Sequence, residues 1–548
     1  MGRPGASVWA GLLRADAGRW MERRSTASGP RVLMATSLGG YNHGAVVESV
    51  LAVASTLRGA TVDVLLCDRA LPMCQITKME GFPPEDLVGG VISPRCASCF
   101  DDGARLFQPL GLDVHLYSQL LPADADAVIG RIVEAADPGR LKELTILGCR
   151  IGEHAFAGIL RYLAAGEALG HPQYPGLARR ALEAALRTAL AVNRLLSRRR
   201  YDVVCMHHGL YVPQGIVAEV CRQRGVRVVT WNPAYRRSTF IFSHDETYHR
   251  TMVSEDTAVW ESLSLDVDDR RRRLDRYVGS RRQGTADWIH FNRDPPSSFA
   301  AIAAALGLRG DLPIVTLLTN VAWDAQLHFP GNAFAGMLDW VRSTIGHFAG
   351  RDDVQLVIRV HPAELTGSLR SRQPVAAEIA RWYPALPGNV FVVGPDSGMS
   401  TYEILDHSDC AIIFGTKTGI EIAYAGKPVI VAGEAWIRGK GFTMDACSQA
   451  QYRDLLAALP LRRPLDPEAH ERARRYAYHF FFRRMVPLPF LRMNRKQGLE
   501  IDLSAIADLD PGRCEGLDVV CEGILAGTPF HYDGRHVDEG GTTGLGPG

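Results

Sequence analysis

The chain has 548 residues, 46% of them apolar and 22% charged, with a formal net charge of +1 at neutral pH. That length exceeds one ordinary core and implies two or three domains, and the near-zero charge argues against a nucleic-acid partner. No apolar run approaches the roughly 18 residues that span a bilayer, and the N-terminus lacks the apolar core and cleavage pattern of a secretory signal, so a cytoplasmic protein without a transmembrane segment is expected.

Residues 1–29 mix Gly, Arg, Ser and Ala around one possible short amphipathic helix (8–21) and read as a disordered leader. From residue 30 an α/β alternation begins. Residues 31–37 form a strand, the turn 38–44 carries Gly39, Gly40 and His43, an apolar-periodic helix runs to about residue 57, and residues 59–68 form a second strand. The glycine pair allows close backbone approach to a ligand. His43, at the head of the helix, is a candidate general base because an imidazole titrates near working pH; local packing is the other reading.

Eleven cysteines, odd in number and irregularly spaced, suggest free thiols or metal ligands in a reducing compartment. Four of them cluster early as Cys67, Cys74, Cys96 and Cys99. The last pair is a C-x-x-C of knuckle spacing, while six residues separate the first pair, so a structural zinc or iron–sulfur site stands beside buried thiols or a redox pair.

Residues 101–200 read mainly as helices (124–134, 141–162 and 176–198), a helical insertion in the first domain. A strand returns at 202–209 and ends in His207 and His208, followed by a helix at 214–224 and a strand at 226–231. Histidines at the C-terminal end of a strand lie on the edge where α/β sheets bind ligands, making either a second candidate base. The arginine clusters at 198–200 and 270–273 read as solvated helix ends, leaving peripheral membrane contact open. The charged stretch 254–310, with a turn at 292–298, reads as the passage between domains.

A second α/β alternation follows, with strands at 312–320, 354–362 and 390–393. Asn320 stands in the turn after the first of these as a ligand contact, with Asp324 as a helix cap. The Arg-Val-His-Pro run places Arg359 and His361 on one face at the next strand end. The fourth strand begins the stretch 410–433, a strand–turn–helix–strand unit whose turn (Thr416, Lys417, Thr418, Gly419) aims amides and hydroxyls at an anion, with Glu421 able to accept from a vicinal diol. Three of the chain's six lysines, Lys417, Lys427 and Lys440, fall in or just after this unit. The loop 434–443 could close over such a site. The resulting fold is α/β: two Rossmann-like domains facing each other across a cleft, at 30–300 and 301–490, then a C-terminal segment (491–533) packing back and a disordered tail (534–548).

The runs Thr319–Ala325, Arg359–Glu364 and Thr416–Glu421 through Pro428 resemble the capsule polysaccharide biosynthesis glycosyltransferases, which have the GT-B architecture. By that resemblance the C-terminal domain binds the nucleotide-sugar donor, with His361 on the phosphates, residues 416–419 as the phosphate turn and Glu421 on the ribose. The N-terminal domain then meets a glycan, lipid-linked or small-molecule acceptor. The Gly-Thr-Lys-Thr-Gly here replaces the family's frequent Asn-Ser-Thr-x-Gly. The expected activity is an inverting transfer in which His43, His207 or His208 takes the acceptor proton. Lys417 or Lys427 holds the leaving phosphate, and no cofactor is needed for the chemistry. A sugar-nucleotide 2-epimerase and a non-catalytic, metal-stabilised sugar-nucleotide-binding scaffold are the alternatives.

Overall fold

The structure is a computed structural model describing residues 8–534 except 80, 268, 284–286, 289–297, 328, 368 and 495–496. The first lobe is built on strands β1 (Arg31–Ser37), β2 (Thr61–Leu66), β3 (Asp113–Leu116), β4 (Val203–His207), β5 (Arg227–Pro233) and β6 (Thr239–His244). The second uses β7 (Ile314–Leu318), β8 (Gln355–Arg359), β9 (Val390–Val393), β10 (Cys410–Ile413), β11 (Val429–Val431) and β12 (Met444–Asp445), and β13 (Val486–Pro487) then returns to the first. The sheet orders are β13-β6-β5-β4-β1-β2-β3 and β12-β11-β10-β7-β8-β9. Within these two sheets, among the described residues, the antiparallel pairings are β6 with β5 and β13 with β6. Each sheet thus begins at its centre, winds outward one way and then reverses, the doubly wound arrangement.

Parallel strands covered on both faces should be apolar at every position, and β4, β7 and β8 are buried throughout. Their alternation divides each core in two. Val32 and Met34 face the Asn42–Leu57 and Glu515–Ala526 helices, whereas Leu33 and Ala35 face the Ile151–Leu163 and Tyr174–Arg198 helices of the insertion. In the second lobe Val315 and Leu317 pack with the Met337–Phe348 helix, and Ala411 and Ile413 pack with Pro467–Tyr478.

Three sequence expectations are corrected. The leader is ordered from Val8: the Val8–Ala15 and Ala17–Ser25 helices bury Trp9, Leu13 and Trp20. The Trp9 and Trp20 indoles donate to Ser49 Oγ (2.9 Å) and the Leu110 carbonyl (3.0 Å). Apolar anchors, not local composition, order this segment. Strand β3, half-exposed and four residues long, lies within the stretch read as helical. The helices from Tyr248 to Arg282, expected with the first lobe, bury Met252, Trp260 and Leu274 in a core shared with Ile420 and Tyr476 of the second. Residues 292–297 and the tail beyond Gly534 lie outside the described residues.

Candidate functional site

A doubly wound sheet binds ligands in the crevice where its winding reverses, here between β1 and β4 in the first lobe and between β7 and β10 in the second. At the first crevice Ser37 and His208 both adopt left-handed backbone, with φ of 56° and 55°. Such conformations cost non-glycine residues on the order of 1 kcal/mol or more and concentrate at functional sites. Tyr41, His207, His208 and Tyr211 form a run of rings there, with successive centroids 4.7, 4.4 and 5.0 Å apart, and His43 stands 5.8 Å from Tyr41.

Glu48 lies beneath this run, fully buried. Its Oε1 accepts from the His207 backbone amide (2.6 Å) and the Trp231 indole (3.0 Å). Burial outweighs these bonds and pushes its carboxyl up to about 7. His207 Nδ1 is buried and finds no hydrogen-bond partner among the described residues. Burial also lowers the pKa of all three histidines, His207 and His208 further than His43. Removing an imidazolium from water disfavours it, so the rings stay neutral, and His43, the least shifted, is the best placed of the three to take a proton. His43 is the half-exposed member; His207 and His208 are buried.

The second lobe meets this floor through the turn after β7. Arg161 pairs with Asp324, the Tyr211 hydroxyl donates to Asp324 Oδ1 (2.8 Å), and the Ala325 amide donates to that hydroxyl (2.9 Å). Asp324, expected as a helix cap, therefore ties the lobes together. Asn320 Oδ1, in the same turn, is buried without a partner among the described residues. Tyr235, Tyr248 and His249 of the first lobe's chain gather around Trp436 of the second, at centroid distances of 6.1, 5.4 and 5.9 Å.

After β10, Thr416 and Thr418 place their hydroxyls 3.4 Å apart, and Gly419 packs so closely that an added Cβ would fall 2.5 Å from Ile413 and 2.7 Å from Ile437. Lys417 Nζ lies 4.5 Å from the Tyr235 ring centroid and 3.1 Å from Glu421 Oε1. His361 is half-buried; its Nδ1 accepts from the Ala363 amide (3.0 Å), which puts its proton on Nε2, and burial lowers its pKa to about 4. It can offer a neutral N–H, not a charge.

Several expected ligand contacts are committed elsewhere. The Arg359 guanidinium is buried and donates to the Gly394 and Ser397 carbonyls and Thr401 Oγ1, fixing the loop after β9. Lys427 sits past the far end of the Thr418–Tyr424 helix, about 10 Å from the turn at 1.5 Å per residue, and donates to the Ser408 and Asp406 carbonyls. The Glu421 side chain is 2% exposed and already holds Lys417, Arg281 (3.1 Å) and the Tyr402 hydroxyl (2.6 Å). It borders a separate cavity of ≈ 250 Å³ between the Arg270–Arg282, Thr401–Asp406 and Thr418–Tyr424 helices, which Lys427 also lines. The loop after β11 is no free lid: Trp436, Arg438 and Lys440 are buried, Arg438 on the Gly433 and Ala446 carbonyls and Lys440 on the Glu255 carbonyl. The Gly39–Gly40 pair accommodates protein rather than ligand, since a Cβ on Gly39 would stand 2.5 Å from the Cys99 carbonyl oxygen.

Cys67, Cys74, Cys96 and Cys99 line one small cavity behind the β1 turn, and burial pushes Cys67 and Cys99 up to about 12. Among the described residues the set of potential ligand atoms lying within 4.8 Å of one another is elsewhere, at Glu255, His479 and His531. Arg484 stands 3.6 Å from that carboxylate.

Sequence reasoning missed Tyr41, Glu48, Arg161 and Tyr211 as parts of this site. Only Glu48 carried a signal, as an acid inside an otherwise apolar helix (Val46-Val47-Glu48-Ser49-Val50).

Residues 301–460 match the family of capsule polysaccharide biosynthesis proteins, which bears out, for the second lobe, the resemblance read from its motifs. No curated protein matches the chain in sequence. Similar solved structures include the β-Kdo 2,4 transferase of Thermosulfurimonas dismutans KpsC (12% identity over 57% of this chain and 87% of that one, TM-score 0.35). A putative UDP-N-acetylglucosamine 2-epimerase from Listeria monocytogenes is another (10%, 82% and 91%, TM-score 0.26), as is the glycosyltransferase of kitacinnamycin (14%, 82% and 95%, TM-score 0.24). Likenesses this distant carry no conclusion about activity. Among the described residues no helix is long and apolar enough to cross a membrane.

Proposed function

We propose that the protein is a GT-B type glycosyltransferase that moves a sugar from a nucleotide-sugar donor to an acceptor hydroxyl, with inversion, in polysaccharide or glycoconjugate biosynthesis. The observation that carries this reading is the meeting of the two crevices through Arg161, Tyr211 and Asp324. It sets a floor of neutral histidines opposite a turn of hydroxyls and a lysine. The family match over residues 301–460 supports a role in polysaccharide biosynthesis.

In this reading the donor phosphates meet Thr416, Lys417, Thr418 and the Nε2–H of His361, and Asn320 takes a polar group of the donor. The acceptor oxygen loses its proton to His43, the accessible histidine, and attacks the anomeric carbon. The bond from that carbon to the phosphate oxygen breaks, and the departing phosphate takes the electron pair. Holding that charge is the largest service such a site performs. Lys417 can turn toward it because Glu421 retains Arg281 and Tyr402 when the lysine leaves. No acidic pair of D-x-D spacing stands at a strand end, so turnover is expected to persist in EDTA.

The test is a thermal-shift screen of nucleotide sugars, then incubation of the stabilising donor with candidate acceptors and NMR assignment of the product's anomeric configuration. Inverted product supports the reading. Conversion of the donor to its C2 epimer without acceptor would establish a 2-epimerase instead, and tight binding without turnover would establish a scaffold. A chain stabilised by no nucleotide or nucleotide sugar would sink all three.

A further inference from the structure

Beside the Thr416–Gly419 turn lies a group of oxygen acceptors that the fold leaves unmatched. Asn320, Gly415 and Glu434 stand just past the C-terminal ends of β7, β10 and β11, neighbouring parallel strands. Asn332 comes from the loop before the Met337–Phe348 helix, and that loop is pinned to the same sheet edge where the Ala333 amide donates to the Ala432 carbonyl (2.8 Å). Asn332 Nδ2 donates to Glu434 Oε2 at 3.0 Å. A Cβ on Gly415 would fall 3.5 Å from Glu434 Oε1, so the carboxylate lies against the residue that precedes Thr416.

These bonds fix the direction of the Asn332 amide. An ionised carboxylate only accepts, so Asn332 turns Nδ2 to Glu434 and Oδ1 away, and that Oδ1 is buried without a partner among the described residues. Asn320 Oδ1 is in the same condition. The Asn320 backbone amide meets Met337 Sδ at 3.3 Å, at the start of the helix that Asn332 precedes. Arg438, the cation whose charge reaches Glu434, commits Nη1 and Nη2 to the Gly433 and Ala446 carbonyls and Cys447 Sγ. Burial raises the Glu434 carboxyl above its ordinary value, and its own backbone amide, Asn332 and Arg438 offset this only in part.

Buried acceptors left without donors are unfavourable. Asn320 Oδ1, Asn332 Oδ1 and the Glu434 carboxylate all ask for O–H or N–H groups. A pyranose carries hydroxyls around its ring and can answer them. A second carboxylate brings no donor and is repelled by the first.

We propose that Glu434 and Asn332, with Asn320, read the hydroxyls of the transferred sugar and select a neutral sugar over one that bears a carboxylate. This inference rests on the glycosyl-transfer reading above, which puts the donor phosphate on Thr416 and Thr418. The sugar of a nucleotide sugar is bonded directly to that phosphate and therefore falls beside Gly415 and Glu434.

The test is calorimetry at pH 8 on the full chain with UDP, GDP, ADP and dTDP, and with the glucose and glucuronate derivatives of each; CMP-N-acetylneuraminate serves as a further acidic donor. On the base that the chain accepts, the glucose derivative should bind at least about tenfold more tightly than the glucuronate derivative. Glu434→Ala and Asn332→Ala should each weaken the glucose derivative by about tenfold, while the Kd of the bare nucleoside diphosphate stays within about twofold. Glu434→Gln keeps the shape and removes the charge, and should bring the two sugar derivatives to within about threefold of each other. Circular dichroism identifies any variant that fails to fold, and the acidic-to-neutral ratio of the unaltered chain is decisive without the variants. Glucuronate or neuraminate derivatives bound as well as glucose, or a ratio unchanged in Glu434→Gln, overturn this inference and leave the glycosyl-transfer reading standing. A chain that binds none of the probes overturns that reading and this inference with it.

Discussion

At the crevice between β1 and β4 the polar atoms ride on stacked rings, and one of them, His207 Nδ1, is buried and unpartnered among the described residues. At the crevice between β7 and β10 the charges are already matched: Lys417 and Arg281 on Glu421, and Arg359 on carbonyls. Two sheets of the same strand order have thus been finished differently at their ligand edges. Neutral, desolvated imidazoles suit proton transfer. A paired lysine beside two hydroxyls suits a charge that arrives with the ligand and later leaves.

The strongest test of this division is His43→Ala. If the first crevice holds the base, kcat should fall by about 10²- to 10⁴-fold, while the affinity for a nucleoside diphosphate, read by calorimetry, stays within about twofold. A loss of affinity instead would put His43 on the donor side. Lys417→Ala should do the reverse, weakening nucleoside diphosphate binding by about 10- to 100-fold, the scale of a hydrogen bond to a charged group. The melting temperature should hardly move, because Glu421 keeps Arg281 and Tyr402; a lower melting temperature with unchanged affinity would make the lysine structural.

The smallest expected effect concerns Glu48, whose folded pKa, near 7, lies above its ordinary 4.5. The folded chain therefore binds more protons at this site than the unfolded chain between those values, and stability from it is lost as pH rises through that window. Glu48→Gln removes the loss. Its melting temperature should exceed that of the unaltered chain by a few degrees at pH 8, with the gap closing toward pH 5. A gap that widens on acidification would show the carboxylate to be stabilised, contrary to its burial.

The central strands of both sheets were legible in the sequence because each is a short apolar run bounded by glycine or polar turns, and both crevices followed from their ends; the outer strands β3, β6, β12 and β13 were not. What could not be read was pairing. Arg359, Lys427 and Glu421 have the right chemistry at the right strand ends, but whether a guanidinium meets a ligand or a neighbouring carbonyl depends on loops far away in sequence. Arg161, Tyr211 and Asp324 converge from three segments, and no local pattern marks any of them. β3 escaped because Asp113-Val-His-Leu116 is short, half-exposed and set among helices, and the docking of the leader's helical stretch because two tryptophans among polar residues resemble noise until their pockets are known.

The first lobe's sheet is completed only by β13, where Val486 pairs with Phe240 and Pro487 with Thr239, and its outer face by the Glu515–Ala526 helix. During synthesis β6 therefore emerges as an open edge and stays so until the whole second lobe has followed. A nascent chain stalled inside the second lobe would expose that edge together with the apolar face awaiting Leu517, Val520 and Ile524. Maturation of the first lobe is in this way made conditional on translation of the whole second lobe.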